Sequence, residues 1–338
     1  FSNPWSIDRY HWSPLGDRFT FVYNERGHQT MRVIAIDAAT RKKSILVNEE
    51  CKSFFDYSNK MFLRHQPDNT FLWMSERSGW NHIYRIDSKT GNVLNAVTNG
   101  EWVVRGVDFV DVERQQIWLR IMGYVKGEDP YFIHHARVNF DGNGFTLLDE
   151  GDGTHDLQWS PKRDFFVDSW SRIDTPPQHV LRDADGKKIL DLATADITAL
   201  KKIDWQAPEP FALPGRDGKT MIHGYIVRPS NFDPKKKYPV IESIYAGPHD
   251  FFCVKRFTPT LYESPMAELG FIVVKMDGMG TNWRSRAFHD VAWKNLADSG
   301  FPDRVAVIKQ LAAKHPEMDL SKGVGIYGGS AGGQSTLA

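Results

Sequence analysis

Val324-Gly325-Ile326-Tyr327-Gly328-Gly329-Ser330-Ala331-Gly332-Gly333 is the stretch from which the rest of the chain is read. Val324 to Tyr327 is a short apolar run that reads as a buried strand. It breaks at Gly-Gly-Ser-Ala-Gly-Gly, and Gln334 to Ala338 resumes with helix-compatible residues. Strand, sharp glycine turn and helix is the setting in which Gly-x-Ser-x-Gly holds a serine hydroxyl on a strained turn, exposed above a sheet. Gly328 and Gly332 flank Ser330 where the backbone comes so close to its neighbours that a side chain would clash. The helix that follows turns its positive end to the reacting centre and favours developing negative charge there. A phosphate-binding loop would place Lys-Ser or Lys-Thr after the glycines, and neither pair is present. Ser330 is therefore read as a nucleophile.

Folds built on this elbow order their triad as Ser, then Asp or Glu, then His. No His follows Ser330, and the first residue is Phe1. The sequence is thus expected to be an internal piece of a longer protein. Its triad Asp and His should lie downstream of Ala338, and residues 1–338 alone should be inactive.

A length of 338 residues leaves room for two domains. Lys and Arg number 42, as do Asp and Glu, so the formal charge is zero and nothing marks nucleic acid or an anionic membrane as a partner. Lys235-Lys236-Lys237 reads as a solvated loop. Cys51 and Cys253 are too few and too far apart for a disulfide framework or a metal site, and they leave the compartment open. His134-His135 lacks the spacing of a zinc signature, so no metal is expected. No run of 18 apolar residues marks a transmembrane helix.

The first 200 residues show short alternating strands punctuated by Gly, Asp, Asn and Pro, which indicates an all-β region. They also repeat. His11-Trp12-Ser13-Pro14 leads into Phe19 to Tyr23 and then Met31 to Asp37. Arg64-His65-Gln66-Pro67 leads into Phe71 to Met74 and then Ile83 to Asp87. Gln158-Trp159-Ser160-Pro161 leads into Phe165 to Val167 and then His179 to Leu181, and a weaker copy runs from Trp102 to Gly142. A period of about 40–50 residues with four short strands per unit is the signature of propeller blades. Some four blades are expected, with further blades before Phe1. Within them, Ser75-Glu76-Arg77 reads either as a grip for a substrate terminus or as a local, solvent-screened Glu–Arg pair.

From about Ile203 strands and helices alternate. Phe211 to Leu213 and Met221 to Val227 read as antiparallel strands, and Val240 to Tyr245 and Phe271 to Met276 as further strands. Leu261 to Leu269 reads as a helix. Pro302 to Lys314 reads as an amphipathic helix with Val305, Ile308, Leu311 and Ala312 on its buried face. The alternation predicts a mostly parallel sheet covered by helices, with functional residues at the carboxyl ends of its strands. Ser330 and Tyr245 both sit at such ends. Tyr245 reads either as an oxyanion donor or as a tyrosine merely packed at a strand end. The domain reading is residues 1–202 for the propeller blades and 203–338 for the first part of the α/β domain.

A propeller ahead of an α/β-hydrolase resembles the prolyl oligopeptidase superfamily of serine peptidases, and most of all its dipeptidyl-peptidase IV subfamily. The resemblance is carried by Tyr245-Ala246-Gly247-Pro248, by Asp277-Gly278-Met279-Gly280 in place of Asp-Gly-Arg-Gly, and by Gly328 to Gly333 in place of Gly-Trp-Ser-Tyr-Gly-Gly. Ser75 to Tyr84 and Thr98 to Val103 also resemble that subfamily. It implies Ser330 as nucleophile, with the Ala331 backbone N–H and the Tyr245 hydroxyl as the oxyanion hole. It further implies peptide substrates cleaved through an acyl-enzyme with release of N-terminal dipeptides, no cofactor, a homodimer, and a secreted, periplasmic or membrane-anchored setting. Ala331 stands where the subfamily has a pocket-forming tyrosine, Met279 replaces an arginine, and the paired glutamates that grip a substrate amine are not recognisable. Two alternatives stay open. One is an acylaminoacyl- or oligopeptidase-type hydrolase of the same fold, and the other is a propeller interaction protein with a degenerate hydrolase domain.

Overall fold

The computed structural model describes residues 3–338. The β-rich region forms four antiparallel four-stranded sheets, each from consecutive strands. The first holds β1 (Pro4–Trp12), β2 (Arg18–Glu25), β3 (Thr30–Asp37) and β4 (Lys43–Glu50). The second holds β5 (Leu63–His65), β6 (Thr70–Ser75), β7 (His82–Asp87) and β8 (Val93–Ala96). The third holds β9 (Val103–Asp111), β10 (Gln116–Met122), β11 (Ile133–Asn139) and β12 (Thr146–Leu147). The fourth holds β13 (Thr154–Trp159), β14 (Phe165–Arg172), β15 (Thr175–Asp183) and β16 (Lys188–Thr194). These are the propeller-like blades expected from the repeat.

The repeat is physical as well as textual. In the first two blades the hairpin between the third and fourth strands closes in the same way. Asp37 accepts from the Thr40 N–H and hydroxyl, both at 2.7 Å, and Asp87 accepts from the Thr90 N–H at 2.7 Å and hydroxyl at 2.8 Å. Such Asp turns mimic a backbone turn and fix the loop cheaply. β6 is buried on both faces along all six residues, because a blade covers its faces only by stacking, whereas β14 and β15 of the fourth blade are mostly half-buried. Val22, Val33 and Leu46 of the first blade pack with Phe71, Trp73 and Ile86 of the second in one core. At the edge of that contact the His11 and His65 rings stack with centroids 3.9 Å apart, and Thr20 Oγ1 lies 3.1 Å from His65 Nε2.

A single helical turn, α1 (Thr198–Lys201), precedes a mixed sheet. Its strands are β17 (Glu209–Pro214), β18 (Met221–Val227), β19 (Tyr238–Ser243), β20 (Ile272–Asp277), β21 (Met318–Asp319) and β22 (Gly325–Tyr327). They run in the order β17-β18-β20-β19, with β21 and β22 both pairing with β19. β18 is antiparallel to β17 and to β20, whereas β19 is parallel to β20, β21 and β22. The sheet is therefore mixed, with three parallel pairings out of five, and the β17–β18 hairpin, expected as antiparallel, returns directly without a crossover helix.

The helices are α2 (Ser264–Glu268), α3 (Arg286–Asp290), α4 (Phe301–Lys314) and α5 (Ala331–Leu337). Three sequence expectations need correction. The helix expected over 261–269 is only the short α2, which starts at Ser264 with Pro265 in its first turn, where proline is best tolerated. The buried face of α4 carries Arg304, Val307, Ile308 and Leu311, while Val305 is 51% exposed. β22 is not a buried strand; its residues are half-buried or exposed, at the margin of the sheet beside β19.

By compactness the chain forms two units. One comprises 1–121, 136–146 and 285–293, and the other 122–135, 147–284 and 294–338. Among the described residues no helix is long and apolar enough to cross a membrane. Cys51 and Cys253 carry free thiols.

The stacked histidines yield a pH prediction. Burial first, then the neighbouring His11 and Arg18, press the His65 pKa down to about 4 from an ordinary 6.5. The neutral ring is favoured in the folded state, so its contribution is whole above pH 6.5 and is lost as the pH falls from 6.5 towards 4. In urea unfolding across that window, His65→Gln should lose less stability than the parent. Parallel losses in the two proteins would refute this account of the contact.

Candidate active site

The site begins with two parallel neighbours. Ile241, Glu242 and Ser243 of β19 lie opposite Gly325, Ile326 and Tyr327 of β22, and the Ile244 N–H donates to the Tyr327 carbonyl at 2.9 Å. Tyr245 and Gly328 therefore leave adjacent carboxyl ends together, where α/β sheets place their chemistry. Ser330 follows with φ 53° and ψ −121°, a conformation that a residue with a Cβ adopts only when its surroundings impose it. It is exposed, and α5 begins at the next residue, with the Gln334 N–H on the Ser330 carbonyl at 3.1 Å.

What imposes the strain is close backbone contact. A Cβ on Gly332 would collide with the Ile244 carbonyl oxygen and sit 3.5 Å from Tyr245 Cα. A Cβ on Gly328 would meet the same carbonyl oxygen and lie 2.6 Å from the Gly332 carbonyl carbon. Both elbow glycines thus press on the backbone that carries Tyr245, which brings Ser330, Ala331 and Tyr245 onto one small area. Gly329 differs, since a Cβ there would meet nothing within 4 Å.

Tyr245 is half-buried, and its ring centroid lies 4.2 Å from that of Phe252 and 5.8 Å from that of His249. Phe252 is itself tied down. The fully buried Asp277 accepts the N–H groups of Phe252 and Cys253 at 2.7 and 2.9 Å. Beneath the loops lie more buried carboxylates, each satisfied. Glu242 of β19 pairs with Arg304 of α4. Glu263 accepts from Ser243 at 2.8 Å and Lys275 at 2.7 Å. Asp303 accepts the Met279 N–H at 2.9 Å, and the Arg216 N–H and Nε at 2.9 and 3.0 Å. Arg304 also reaches the Ser299 carbonyl at 2.9 Å, and the Ser299 hydroxyl lies 2.9 Å from that of Ser335 in α5. The strand before Tyr245 and the helix after Ser330 are therefore linked through α4.

An exposed serine on a strained turn, a helix N-terminus beginning at the next residue and a tyrosine on the neighbouring loop form an arrangement suited to acyl transfer once a base is supplied. Comparison with known proteins decides the family. The dipeptidyl peptidase IV N-terminal region matches residues 2–177, just over half the chain, and the prolyl oligopeptidase family matches residues 259–338.

The chain belongs to the dipeptidyl peptidase IV/prolyl oligopeptidase family.

Its relatives in that family include dipeptidyl peptidase 4 of Trichophyton equinum, 28% identical over 271 residues, covering 78% of this chain and 34% of that protein. Human dipeptidyl peptidase 8 is 27% identical over 307 residues, covering 81% of this chain and 34% of that protein. The crystal structure of Porphyromonas gingivalis dipeptidyl peptidase 4 superposes with a TM-score of 0.80 at 22% identity, over 98% of this chain and 46% of that one. The chain thus spans about a third to a half of the length of the relatives it matches.

Other residues singled out in the sequence fall differently. Glu76 and Arg77 do not pair with each other, so the local-pair reading fails. Glu76 is buried with Lys60 at 2.7 Å, while Arg77 turns to Glu49 at 2.5 Å. Burial alone would raise the Glu76 pKa, but Lys60 overrides it and holds the carboxyl below its usual range. His134, Asp149 and His155 are buried with candidate ligand atoms within 4.8 Å of one another, a grouping that the His134-His135 spacing could not reveal. Their nitrogens are already engaged. His134 meets Asp149 at 2.7 Å and Glu128 at 2.9 Å, and His155 meets Asp168 at 2.8 Å and the Gly151 carbonyl at 2.9 Å. Burial opposes charge on His134, yet the two carboxylates outweigh it and lift its pKa to about 9. The group is thus already satisfied as a salt-bridged network. Missed altogether by sequence reasoning were Asp303, Arg216 and the Glu242–Arg304 pair, which join segments far apart in the chain and leave no local pattern.

The elbow contact predicts a contrast between adjacent glycines. Gly332→Ala must push the Ile244 carbonyl aside and should destabilise by about 1–3 kcal/mol in urea unfolding, as overpacking does. Gly329→Ala should stay within about 0.5 kcal/mol, as for surface substitutions. Equal effects at the two positions would contradict the close approach described here.

Proposed function

We propose that the protein is a serine peptidase that cleaves short peptides through an acyl-enzyme and releases N-terminal dipeptides. The observation that carries this reading is the strained, exposed Ser330 seated by Gly328 and Gly332 on the Tyr245 loop. In this reading Ser330 attacks the scissile carbonyl, and the Ala331 N–H and Tyr245 hydroxyl hold the oxyanion. A histidine base oriented by a carboxylate takes the serine proton and returns it to the leaving amine. The leaving amine departs on collapse of the intermediate, and water then hydrolyses the acyl-enzyme. The names of the relatives support dipeptide release. We place the catalytic domain from residue 203 onward and the propeller blades before it.

The test uses the full-length protein with an Ala-Pro anilide, offered with a free and with an acetylated amine. Hydrolysis of the free form alone is expected, abolished by Ser330→Ala. Tyr245→Phe should lower kcat by about 10²–10³ with KM little changed, the signature of a lost oxyanion donor. Cleavage of the acetylated form would move the protein to an oligopeptidase or acyl-peptidase role. No hydrolysis, with no fluorophosphonate labelling of Ser330, would leave a propeller interaction protein as the better account.

A further inference from the structure

The second compact unit carries an open cavity of about 220 Å³ that the peptidase reading does not use. One part of its wall is apolar and includes Phe132, Ile173, Phe211 and Val254. The other part is charged, and its charges do not balance. Arg172 forks onto Asp174 at 2.8 and 2.7 Å and also meets Asp152. The buried Lys255 donates to Asp129 at 2.6 Å. Glu128 receives His134 from behind, and His134 is shared with Asp149. Four lining carboxylates (Glu128, Asp129, Asp152, Asp174) thus face two lining cations (Arg172, Lys255), an excess of two negative charges. The imbalance is felt at Asp152. Burial first, and then the charges of Glu128 and Asp174, outweigh Arg172 and raise its pKa above the usual carboxylate value.

A second observation is independent of the charges. His223 lines the cavity, is only 9% exposed, and makes no hydrogen bond through its ring among the described residues. Its Nδ1 stands 3.7 Å from Asp129, beyond hydrogen-bond reach. Burial keeps it neutral, with a pKa pressed to about 4. An imidazole without a ring hydrogen bond leaves its acceptor nitrogen to whatever occupies the cavity. The fitting occupant has a positive charge to offset the carboxylates, an N–H to donate to the imidazole, and an apolar body to cover the aromatic wall. Anions are repelled. A hydrated divalent cation would leave the apolar wall unfilled.

We propose that this cavity is a binding site for a small primary ammonium with an aromatic or aliphatic body. The site is separate from Ser330 chemistry and does not depend on the peptidase reading. Its test is calorimetric titration of the full-length protein with three probes of one shape: phenethylammonium, the neutral 2-phenylethanol and the anionic phenylacetate. Saturable one-to-one binding of the ammonium is expected, with the alcohol at least about tenfold weaker and no binding of the acid. Asp152→Asn, at a partly exposed position, should weaken the ammonium about tenfold, and Glu128→Gln should do the same. Three similar affinities, no ammonium binding, displacement by Mg²⁺ alone, or binding unchanged in both variants would overturn the proposal. Heat of binding is read without any hydrolysis, so failure here leaves the peptidase reading standing, and failure of the peptidase assay leaves this one standing.

Discussion

Everything around Ser330 depends on one close approach, that of the Gly328 and Gly332 backbone to the carbonyl of Ile244. A strained φ/ψ pair persists only where the surroundings over-determine it. Here they do so through two strands locked in parallel register, a main-chain bond from Ile244 to Tyr327, and two positions with no room for a methyl group. The same contact determines where Tyr245 begins, because the carbonyl that excludes the side chains belongs to the residue before it. Ser330 and the neighbouring loop are thus set by one piece of backbone.

That backbone is held from below by buried charge. Asp277, Asp303, Glu242 and Glu263 are all nearly or fully buried, and each is met by N–H groups, hydroxyls or cations. Leaving such a carboxylate unpaired would cost several kcal/mol, so each one fixes the segments that satisfy it. Asp277 fixes the loop under Tyr245, Asp303 fixes the turn at Met279, and Arg304 ties β19 to the segment that meets α5. These pairs need not add much net stability to do this, because their effect is to exclude alternative loop positions.

The sequence was most legible where the physics is local. Strand alternation, Asp turns and the repeat gave the blades, because each depends on neighbours within a few residues. The Gly-x-Ser-x-Gly run gave the elbow for the same reason. Legibility failed where partners are distant in sequence. Glu76 was read with its neighbour Arg77, yet it is buried against Lys60, and Arg77 crosses to Glu49 of the preceding blade. Val305 follows the helical spacing of a buried face, yet the buried stripe of α4 is centred on Arg304 and Ile308, because Arg304 must reach Glu242. The cavity around His223 could not be seen at all, since its walls come from the third and fourth blades and from the β17–β18 hairpin.

The same contacts explain which departures from the family pattern this chain can accommodate. Met279 stands where the resemblance expects arginine, but Asp303 holds that turn through the main-chain N–H of Met279, which any side chain but proline supplies. Gly278 is different: a Cβ there would lie 3.1 Å from Gly300 Cα, a tight contact that Gly300 would have to yield a few tenths of an ångström to admit. At the elbow, Gly329 replaces tryptophan where a side chain would meet nothing within 4 Å, whereas Gly328 and Gly332, where a side chain would collide, are kept. The substitutions at Met279 and Gly329 thus fall where the frame of the site does not use the side chain, whereas at Gly328 and Gly332 a side chain would collide with backbone. Ala331 belongs with the first group for the frame, since its proposed role is carried by its backbone N–H rather than by its side chain.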